Sequence, residues 1–212
     1  MSNSEIHEFV ADLERQGGVP LPDARLVYKT YGALNADRSN AILFPTRFGG
    51  THEQSEFMIG PGHALDPEHY FVVVPNMFGN GVSSSPTNMP APYGGGGFPN
   101  ITIYDNVRQQ HRLVTDVLGI EQFVMAVGWS MGAQQAFQWA SLCSNMIPRL
   151  ACICGTAKTT DHNRVFLESL RAAIEADGLY KDGNYDAAPL GGLRAVGRIY
   201  AGWAYSQDWY RA

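Results

Sequence analysis

The chain has 212 residues, 45% hydrophobic and 17% charged, which is typical of a folded domain with a sizeable core and excludes a disordered segment. Its net charge of −5 excludes the basic face that nucleic acids and acidic membrane surfaces bind. No apolar run is long enough for a membrane-spanning helix, and the polar, acidic residues 1–14 do not resemble a signal peptide, so we expect a cytoplasmic protein.

Short apolar runs separated by turn residues predict six β-strands. They are Glu8–Arg15, Ala24–Tyr31, Ala41–Phe44, Tyr70–Val74, Phe123–Val127 and Leu150–Cys154. Residues 17–22, rich in Gly and Pro, predict the turn that joins the first two. The later runs are short and nearly continuously apolar, as in parallel strands that are covered on both faces.

Apolar residues at helical spacing predict helices over Asp105–Leu118 and Met131–Leu142, on either side of the fifth strand. Strands that alternate with helices predict an α/β fold with a doubly wound, mostly parallel sheet. Between them, Gly79–Phe98 has no periodic pattern, and so long a loop is usually functional or disordered.

After residue 157 the pattern changes to two helices, Arg164–Ala176 and Leu193–Ala204, which we expect to pair with each other rather than to continue the sheet. We therefore divide the chain into the N-terminal part of an α/β core, residues 1–157, and the beginning of a helical cap, residues 158–212.

Three cysteines, Cys143, Cys152 and Cys154, lie in apolar stretches. An odd number cannot all pair within the chain, so we predict buried free thiols in a reducing compartment. No histidine stands at a zinc-type spacing from them, and we expect no metal site and no bound cofactor.

The five residues Gly128–Gly132 (GWSMG) match the pattern G-x-S-x-G, with an apolar strand before them and a helix after them. A sharp strand-to-helix turn would project the Ser130 hydroxyl above the sheet edge, and the small residues around it let the chains approach closely. The helix N-terminus would offer free N–H groups and partial positive charge to an oxyanion. We predict that Ser130 is a nucleophile; the alternative is a serine that only caps the helix.

The loop after the third predicted strand, residues 45–50 (PTRFGG), is where such a turn takes its second oxyanion donor. The backbone N–H of Phe48 or of Arg47 would then lie beside that of Met131. An ordinary Gly-rich turn is the alternative.

Several long strings resemble the homoserine O-acetyltransferase family of the α/β-hydrolase superfamily. They are Leu21–Leu43, Ile59–Gly62 with Ala64–Asp66, Tyr70–Asn76, Phe98-Pro99 with Ile101–Ile103 and Asp105, Val127–Ala140, and Arg171–Ile174. The resemblance covers nearly the whole chain from Phe9 onward. It implies an α/β-hydrolase-type sheet and a helical cap.

The resemblance also implies ping-pong acyl transfer, in which the serine takes an acyl group from acyl-CoA and passes it to the hydroxyl of an amino acid. Carried onto this sequence, Ser130 is the nucleophile, and Met131 and Phe48 are the oxyanion donors. Arg171 matches the arginine of the family's cap and would contact the acceptor's carboxylate; a solvated arginine on a helix face is the alternative.

Two departures bear on the substrate. Members of the family usually carry a His-Ala-Leu-Thr-Gly-type oxyanion loop, where this chain has Thr46–Gly50, and their elbow usually has Gly where this chain has Trp129. Both positions lie where donor and acceptor pass, so we assign Arg47 and Trp129 to substrate binding, and the acceptor need not be homoserine.

A serine nucleophile needs a base and an orienting acid, which in this fold follow it in the chain as Asp or Glu and then His. The one histidine after Ser130 is His162, which adjoins Asp161 at the start of the predicted cap and is a poor candidate. His52, after the oxyanion loop, stands on the wrong side in chain order. We therefore expect the C-terminal strands that carry Asp and His to be missing, and this chain alone to be nearly inactive.

Three readings remain open. The first is an acyltransferase, and the second is an ester hydrolase with water as acceptor, favoured by the replaced loop and by Trp129. The third is an inactive fragment that pairs with its C-terminal half or with a second copy through exposed cap helices. In each reading the substrate is a small molecule, with acyl-CoA as co-substrate in the first.

Overall fold

A computed structural model describes residues 4–212, so the first three residues of the predicted α/β core lie outside the described residues. In this described part of the chain, six strands form one sheet: β1 (Ser4–Leu13), β2 (Leu21–Tyr31), β3 (Ala41–Leu43), β4 (Phe71–Pro75), β5 (Met125–Trp129) and β6 (Leu150–Ile153). Their order is β1-β2-β4-β3-β5-β6. β1 and β2 are antiparallel to their neighbours, while β4, β3, β5 and β6 run parallel. The predicted mostly parallel sheet is confirmed.

Within residues 4–212, five α-helices accompany the sheet: α1 (Ile103–Arg112), α2 (Met131–Leu142), α3 (Asp161–Glu175), α4 (Leu190–Ala204) and α5 (Gln207–Arg211). A π-helical turn, Leu113–Val117, continues α1. Short 3-10 helices lie at Glu53–Met58, Gly95–Gly97 and Lys181–Gly183. No helix among residues 4–212 has the length and apolarity that crossing a bilayer requires.

The central strands β3 and β4 are buried along their whole length because both faces of the sheet are covered. On one face, Leu43 and Val73 share a core cluster with Val107 of α1 and Trp139 of α2. On the other, Ile42, Val72 and Val74 pack with Ile59 and Leu65 from the crossover between β3 and β4. The sheet therefore has the two-sided packing that its apolar strands predict.

Element ends differ from the sequence prediction by a few residues. α1 begins two residues early because Thr102 caps it: its hydroxyl accepts from the Asp105 N–H at 3.2 Å, and its own N–H donates to the Asp105 carboxylate at 2.8 Å. β5 begins at Met125 because Phe123 fills the core against Trp139, with ring centroids 6.0 Å apart. β2 begins at Leu21, inside the predicted turn.

The long loop Gly79–Phe98 is ordered by three buried serines. The Ser83 hydroxyl accepts from the Val27 N–H at 3.0 Å, and the Ser84 hydroxyl accepts from the Arg25 N–H at 2.9 Å. The Ser85 hydroxyl accepts from the Gly81 N–H at 2.8 Å. The first two bonds satisfy backbone donors of β2 beyond the point where its pairing with β4 ends at Tyr28. The serine hydroxyls thus replace the hydrogen-bond partners that a neighbouring strand would supply to β2.

After β6 the chain leaves the sheet and forms the predicted pair of helices. Phe166 of α3 packs on Tyr200 and Trp203 of α4, with ring centroids at 5.4 and 4.5 Å. The helices lie close together at Gly192, where an added Cβ would lie 2.9 Å from the Ala173 carbonyl oxygen. The division at residue 157 itself stays a prediction.

The cysteine prediction needs a correction. Cys143 and Cys152 are half-buried rather than buried, and Cys154 is exposed, because it lies just past the end of β6 in a left-handed conformation with φ 53°. All three are free thiols. Burial raises the pKa of the Cys143 and Cys152 thiols, which makes them less reactive.

Candidate active site

Ser130 lies at the turn between β5 and α2, with φ 53° and ψ −120°. This is a costly conformation for a residue with a side chain, and such strain concentrates at functional sites. The neighbouring strand holds it, because the Ser130 N–H donates to the Ile153 carbonyl of β6 at 2.8 Å. The strand-to-helix turn expected from the motif is present, and Ser130 is partly exposed at its tip.

Three glycines permit this turn because a side chain at any of them would collide with backbone. A Cβ on Gly132 would lie 2.5 Å from the Pro45 carbonyl oxygen, and one on Gly155 would lie 2.5 Å from the Ser130 carbonyl oxygen. A Cβ on Gly128 would overlap the start of α2. The loop after β3, the end of β6 and the turn itself are thus packed backbone to backbone.

The two predicted oxyanion donors, the N–H groups of Phe48 and Met131, make no hydrogen bond within residues 4–212. Met131 is the first residue of α2, whose N–H has no partner inside the helix. Phe48 lies in the turn that the Gly50 N–H closes onto the Arg47 carbonyl at 3.0 Å. Both donors are therefore available to a negatively charged oxygen, and their role stays a prediction.

A pocket of about 330 Å³ opens at Ser130, lined by Arg47, Phe48, Phe57, Trp129, Ser130 and Tyr200. Four of the six lining residues are aromatic, and the Phe57 and Trp129 rings meet edge to face with centroids 5.5 Å apart. The structure thus brings together Ser130, Phe48, Arg47 and Trp129, all of which the sequence nominated.

A larger pocket of about 490 Å³ lies at the opposite end of the strands, where Arg38 and Ser39 precede β3 and Val124 precedes β5. Ligands of open α/β sheets bind outside the carboxyl ends of the strands, where Ser130 lies. The smaller pocket is the candidate active site.

Sequence reasoning missed Phe57 and Tyr200. Phe57 is a half-exposed aromatic residue that follows four polar residues in the 3-10 helix Glu53–Met58, and this was the one available signal. Tyr200 lies on α4, whose apolar spacing gives no indication that one of its side chains reaches a residue seventy positions earlier in the chain.

The structure does not bring Arg171 into the pocket. Its guanidinium lies on the exposed side of α3 and pairs with Glu175 one helical turn away at 2.7 Å, and this hydrogen bond raises the pKa of Arg171. The alternative given from the sequence, a solvated arginine on a helix face, describes this arrangement.

Among residues 4–212 no histidine ring forms a hydrogen bond with Ser130. His162 packs on Trp203 of the cap, with centroids 4.7 Å apart. His52 is buried beside the oxyanion loop, and its Nδ1 lies 2.9 Å from Asn76 Nδ2. The described residues therefore supply a candidate nucleophile and candidate oxyanion donors, but no base in contact with Ser130.

The turn at Ser130, the order of the strands and the pocket beside them are together typical of the α/β-hydrolase fold. The family model described as alpha/beta hydrolase fold matches residues 41–193, and the chain belongs to this family.

Its relatives fall into two groups. The chain is 40% identical to the ethyl acetate hydrolase of Pseudomonas veronii over 95% of its own length and 59% of that protein. It is 37% identical to the homoserine O-acetyltransferase of Zymomonas mobilis subsp. mobilis over 93% of its length and 57% of that protein. The solved structure of an acetylester hydrolase from Corynebacterium glutamicum matches 99% of this chain and 61% of that one, with a TM-score of 0.92 and 38% identity.

These findings confirm the similarity to homoserine O-acyltransferases and add esterases of equal or greater identity. The chain spans about three fifths of the length of these relatives. The chain is therefore a member of the α/β-hydrolase superfamily, and its relatives include both hydrolases and acyltransferases.

Proposed function

We propose that the complete protein hydrolyses esters of short acyl groups through an acyl-enzyme formed on Ser130. The observation that carries the proposal is the pocket at Ser130, which is small and walled by Phe48, Phe57, Trp129 and Tyr200. Such walls favour an uncharged ester with a short acyl chain over a charged amino acid. Two relatives named for acetyl-ester hydrolysis support this choice.

In the first half-reaction the Ser130 Oγ forms a bond with the ester carbonyl carbon. The Oγ proton passes to a general base, the carbonyl oxygen becomes negatively charged, and the N–H groups of Phe48 and Met131 stabilise it. The ester C–O bond then breaks, and the proton from the base leaves with the alcohol. Water repeats the sequence on the acyl-enzyme and releases the acid and free Ser130.

The general base is also proposed. Because neither His162 nor His52 forms a hydrogen bond with Ser130 among residues 4–212, we propose that a histidine outside these 212 residues takes the proton, oriented by an acid. The carboxyl edge of the sheet next to Ser130 is where this base would approach the nucleophile.

The test compares p-nitrophenyl acetate with p-nitrophenyl octanoate in the complete protein, with labelling by a fluorophosphonate probe. We expect faster turnover of the acetate and a single labelled serine. Ser130→Ala should lower kcat by at least about a thousandfold and abolish labelling. Ser141→Ala, at the exposed far end of α2, is the matched control and should keep both. Labelling that persists in Ser130→Ala would disprove the assignment.

Acyl transfer from acyl-CoA to an amino-acid hydroxyl is the second candidate. Arg47 favours it, because a guanidinium at the pocket wall suits a carboxylate of the acceptor, and homoserine O-acetyltransferases are among the relatives. Release of CoA that accelerates when homoserine is added to the complete protein would favour transfer. Ester hydrolysis that homoserine leaves unchanged would favour the hydrolase.

A further inference from the structure

Four buried polar groups form a continuous chain of hydrogen bonds beneath the pocket. The Trp139 indole Nε1 donates to Gln110 Oε1 at 2.8 Å, and Gln110 Nε2 donates to Gln135 Oε1 at 2.7 Å. Gln135 Nε2 then donates to the Thr46 backbone carbonyl at 2.8 Å. We call these four residues the amide relay.

The direction of the amide relay is set at both ends. An indole N–H only donates and a backbone carbonyl only accepts, so each glutamine amide has one orientation that satisfies both of its neighbours. Gln110, Gln135, Trp139 and Thr46 all have zero relative exposure. Buried polar groups without water are costly unless they are all paired, and here each one is. Apolar side chains would stabilise this part of the core equally well. The amide relay therefore points to a role other than stability, and its position shows which segments that role concerns.

The amide relay joins the two segments that carry the oxyanion donors. Gln135 lies on α2, four residues after Met131, and Thr46 lies two residues before Phe48. Thr46 is held on its other sides as well: its N–H donates to the Pro75 carbonyl at 3.2 Å, and its hydroxyl accepts from the Met77 N–H at 3.0 Å.

The same two segments lie close together at Gly132, since a Cβ added there would lie 2.5 Å from the Pro45 carbonyl oxygen. The hydrogen bond from Gln135 to Thr46 prevents them from moving apart. The close approach at Gly132 and this hydrogen bond thus link the segments that carry the Phe48 and Met131 N–H groups.

We propose that Gln135 is a positioning residue that fixes the spacing of the two oxyanion donors through its bond to the Thr46 carbonyl, and that Gln110 and Trp139 hold its amide in the required orientation. This rests on the proposed function, since it concerns the oxyanion of that reaction. Ester formation and ester cleavage on Ser130 both place negative charge at this spot, so both half-reactions depend on the spacing.

The test uses Gln135→Met in the complete protein, because methionine keeps the length of the side chain and removes its N–H donor. We expect kcat for p-nitrophenyl acetate to fall about tenfold to a hundredfold while KM stays within about twofold. Affinity for a trifluoromethyl ketone, which binds as a tetrahedral adduct, should fall in parallel with kcat.

Gln109→Met is the matched control. Gln109 precedes Gln110 on α1, is 1% exposed, and donates instead to the Ala11 carbonyl at 3.2 Å. It should lower stability like Gln135→Met and leave kcat unchanged. An equal fall of kcat in Gln109→Met would show that the effect is a general loss of stability and would overturn the proposal.

Trp139→Phe is the second variant, in case Gln135→Met does not fold. It keeps most of the ring packing, removes the donor that orients Gln110, and should lower kcat about threefold to tenfold. Unchanged kcat in both folded variants would overturn the proposal while leaving the hydrolase intact. Absence of Ser130-dependent turnover in the wild type would instead overturn the proposed function.

Amide hydrogen exchange supplies a readout that needs no catalysis. The Gly50 N–H closes the oxyanion turn, and the Met77 N–H bonds the Thr46 hydroxyl. Exchange at both amides should accelerate about tenfold in Gln135→Met and not in Gln109→Met. Unaccelerated exchange would refute a role of Gln135 in holding this loop, whatever the activity.

Discussion

The turn around Ser130 and the cap helices contribute to the same pocket but are built differently. At the turn, Gly128 and Gly132 lie against backbone with no room for a side chain, and the supporting side chains are fully buried. On α4, Gly197 has nothing within 4 Å of an added Cβ, and Trp203 is 45% exposed. The contrast indicates that backbone packing fixes the geometry of the turn at Ser130, while exposed side chains on a more loosely packed helix line the pocket.

Exchanging glycine for alanine in both regions gives the sharpest test of this contrast. Gly132→Ala forces its Cβ against the Pro45 carbonyl, so the free energy of unfolding should fall by about 2–4 kcal/mol. Gly197→Ala meets no atom and lies inside a helix, so it should raise the free energy of unfolding by about 0.5–1 kcal/mol. Urea unfolding monitored by circular dichroism measures both changes.

Equal effects of the two substitutions would contradict the contrast. Gly202, also on α4 with no atom within 4 Å, offers a repeat of the cap measurement. Gly202→Ala should change stability in the same direction as Gly197→Ala.

Tyr200 tests the contribution of the cap to the pocket. Tyr200→Ala removes one aromatic wall without touching the turn, so KM for a short ester should rise about fivefold, or about 1 kcal/mol, with kcat within about twofold. Tyr205→Ala is the matched control, because Tyr205 is 49% exposed and stacks on Trp209 away from the pocket. Steady-state kinetics of both variants with a short ester measures these changes in KM and kcat. A large fall in kcat in Tyr200→Ala would contradict this prediction, because it would show that the cap acts in the chemical step.

The 3-10 helix Glu53–Met58, which carries Phe57, gives the smallest predicted effect on the free energy of unfolding. Glu56 accepts from Lys29 Nζ at 2.7 Å and from the Tyr31 hydroxyl at 2.9 Å, and the hydrogen bond from Lys29 lowers the pKa of the Glu56 carboxyl. A depressed carboxyl pKa stabilises the fold above the unfolded value of about 4.3, and this stabilisation is lost as the pH falls through the folded value. Because the pair is partly exposed, the loss should be about 0.5 kcal/mol.

Urea unfolding at pH 7 and pH 3 measures this loss. Glu56→Gln should remove that component of the pH dependence. Glu53→Gln, on the same short helix, should keep it, since Glu53 forms no ion pair among residues 4–212. Identical pH profiles for the two variants would disprove the assignment to Glu56.

The regions of the fold that the sequence predicted are those in which local pattern and tertiary packing agree. The turn at Ser130 was predictable because the glycines, the apolar strand before them and the helix after them occupy consecutive positions. The start of β5 was not, because Phe123 and Val124 are as apolar as the strand and yet lie before it.

The walls of the pocket show where a single sequence stops being informative. The proximity of three pocket residues to Ser130 followed from the fold expected for their segments. Trp129 lies in the motif that contains Ser130, and Arg47 and Phe48 lie in the loop after β3. Tyr200 reaches the pocket through the packing of α4 on α3, which apolar spacing does not specify. Arg171 was placed in the site from the resemblance alone, and its neighbour Glu175 binds it on the solvent side.

The serine bonds to β2 also bear on how the sheet avoids misalignment. A strand that slides by one position along its neighbour turns every buried side chain toward the opposite face. The Ser83 hydroxyl accepts from the Val27 N–H, and the Ser84 hydroxyl accepts from the Arg25 N–H. A slide of β2 by one position would break both hydrogen bonds. An irregular loop thus fixes the position of β2 along the sheet through two side-chain hydrogen bonds.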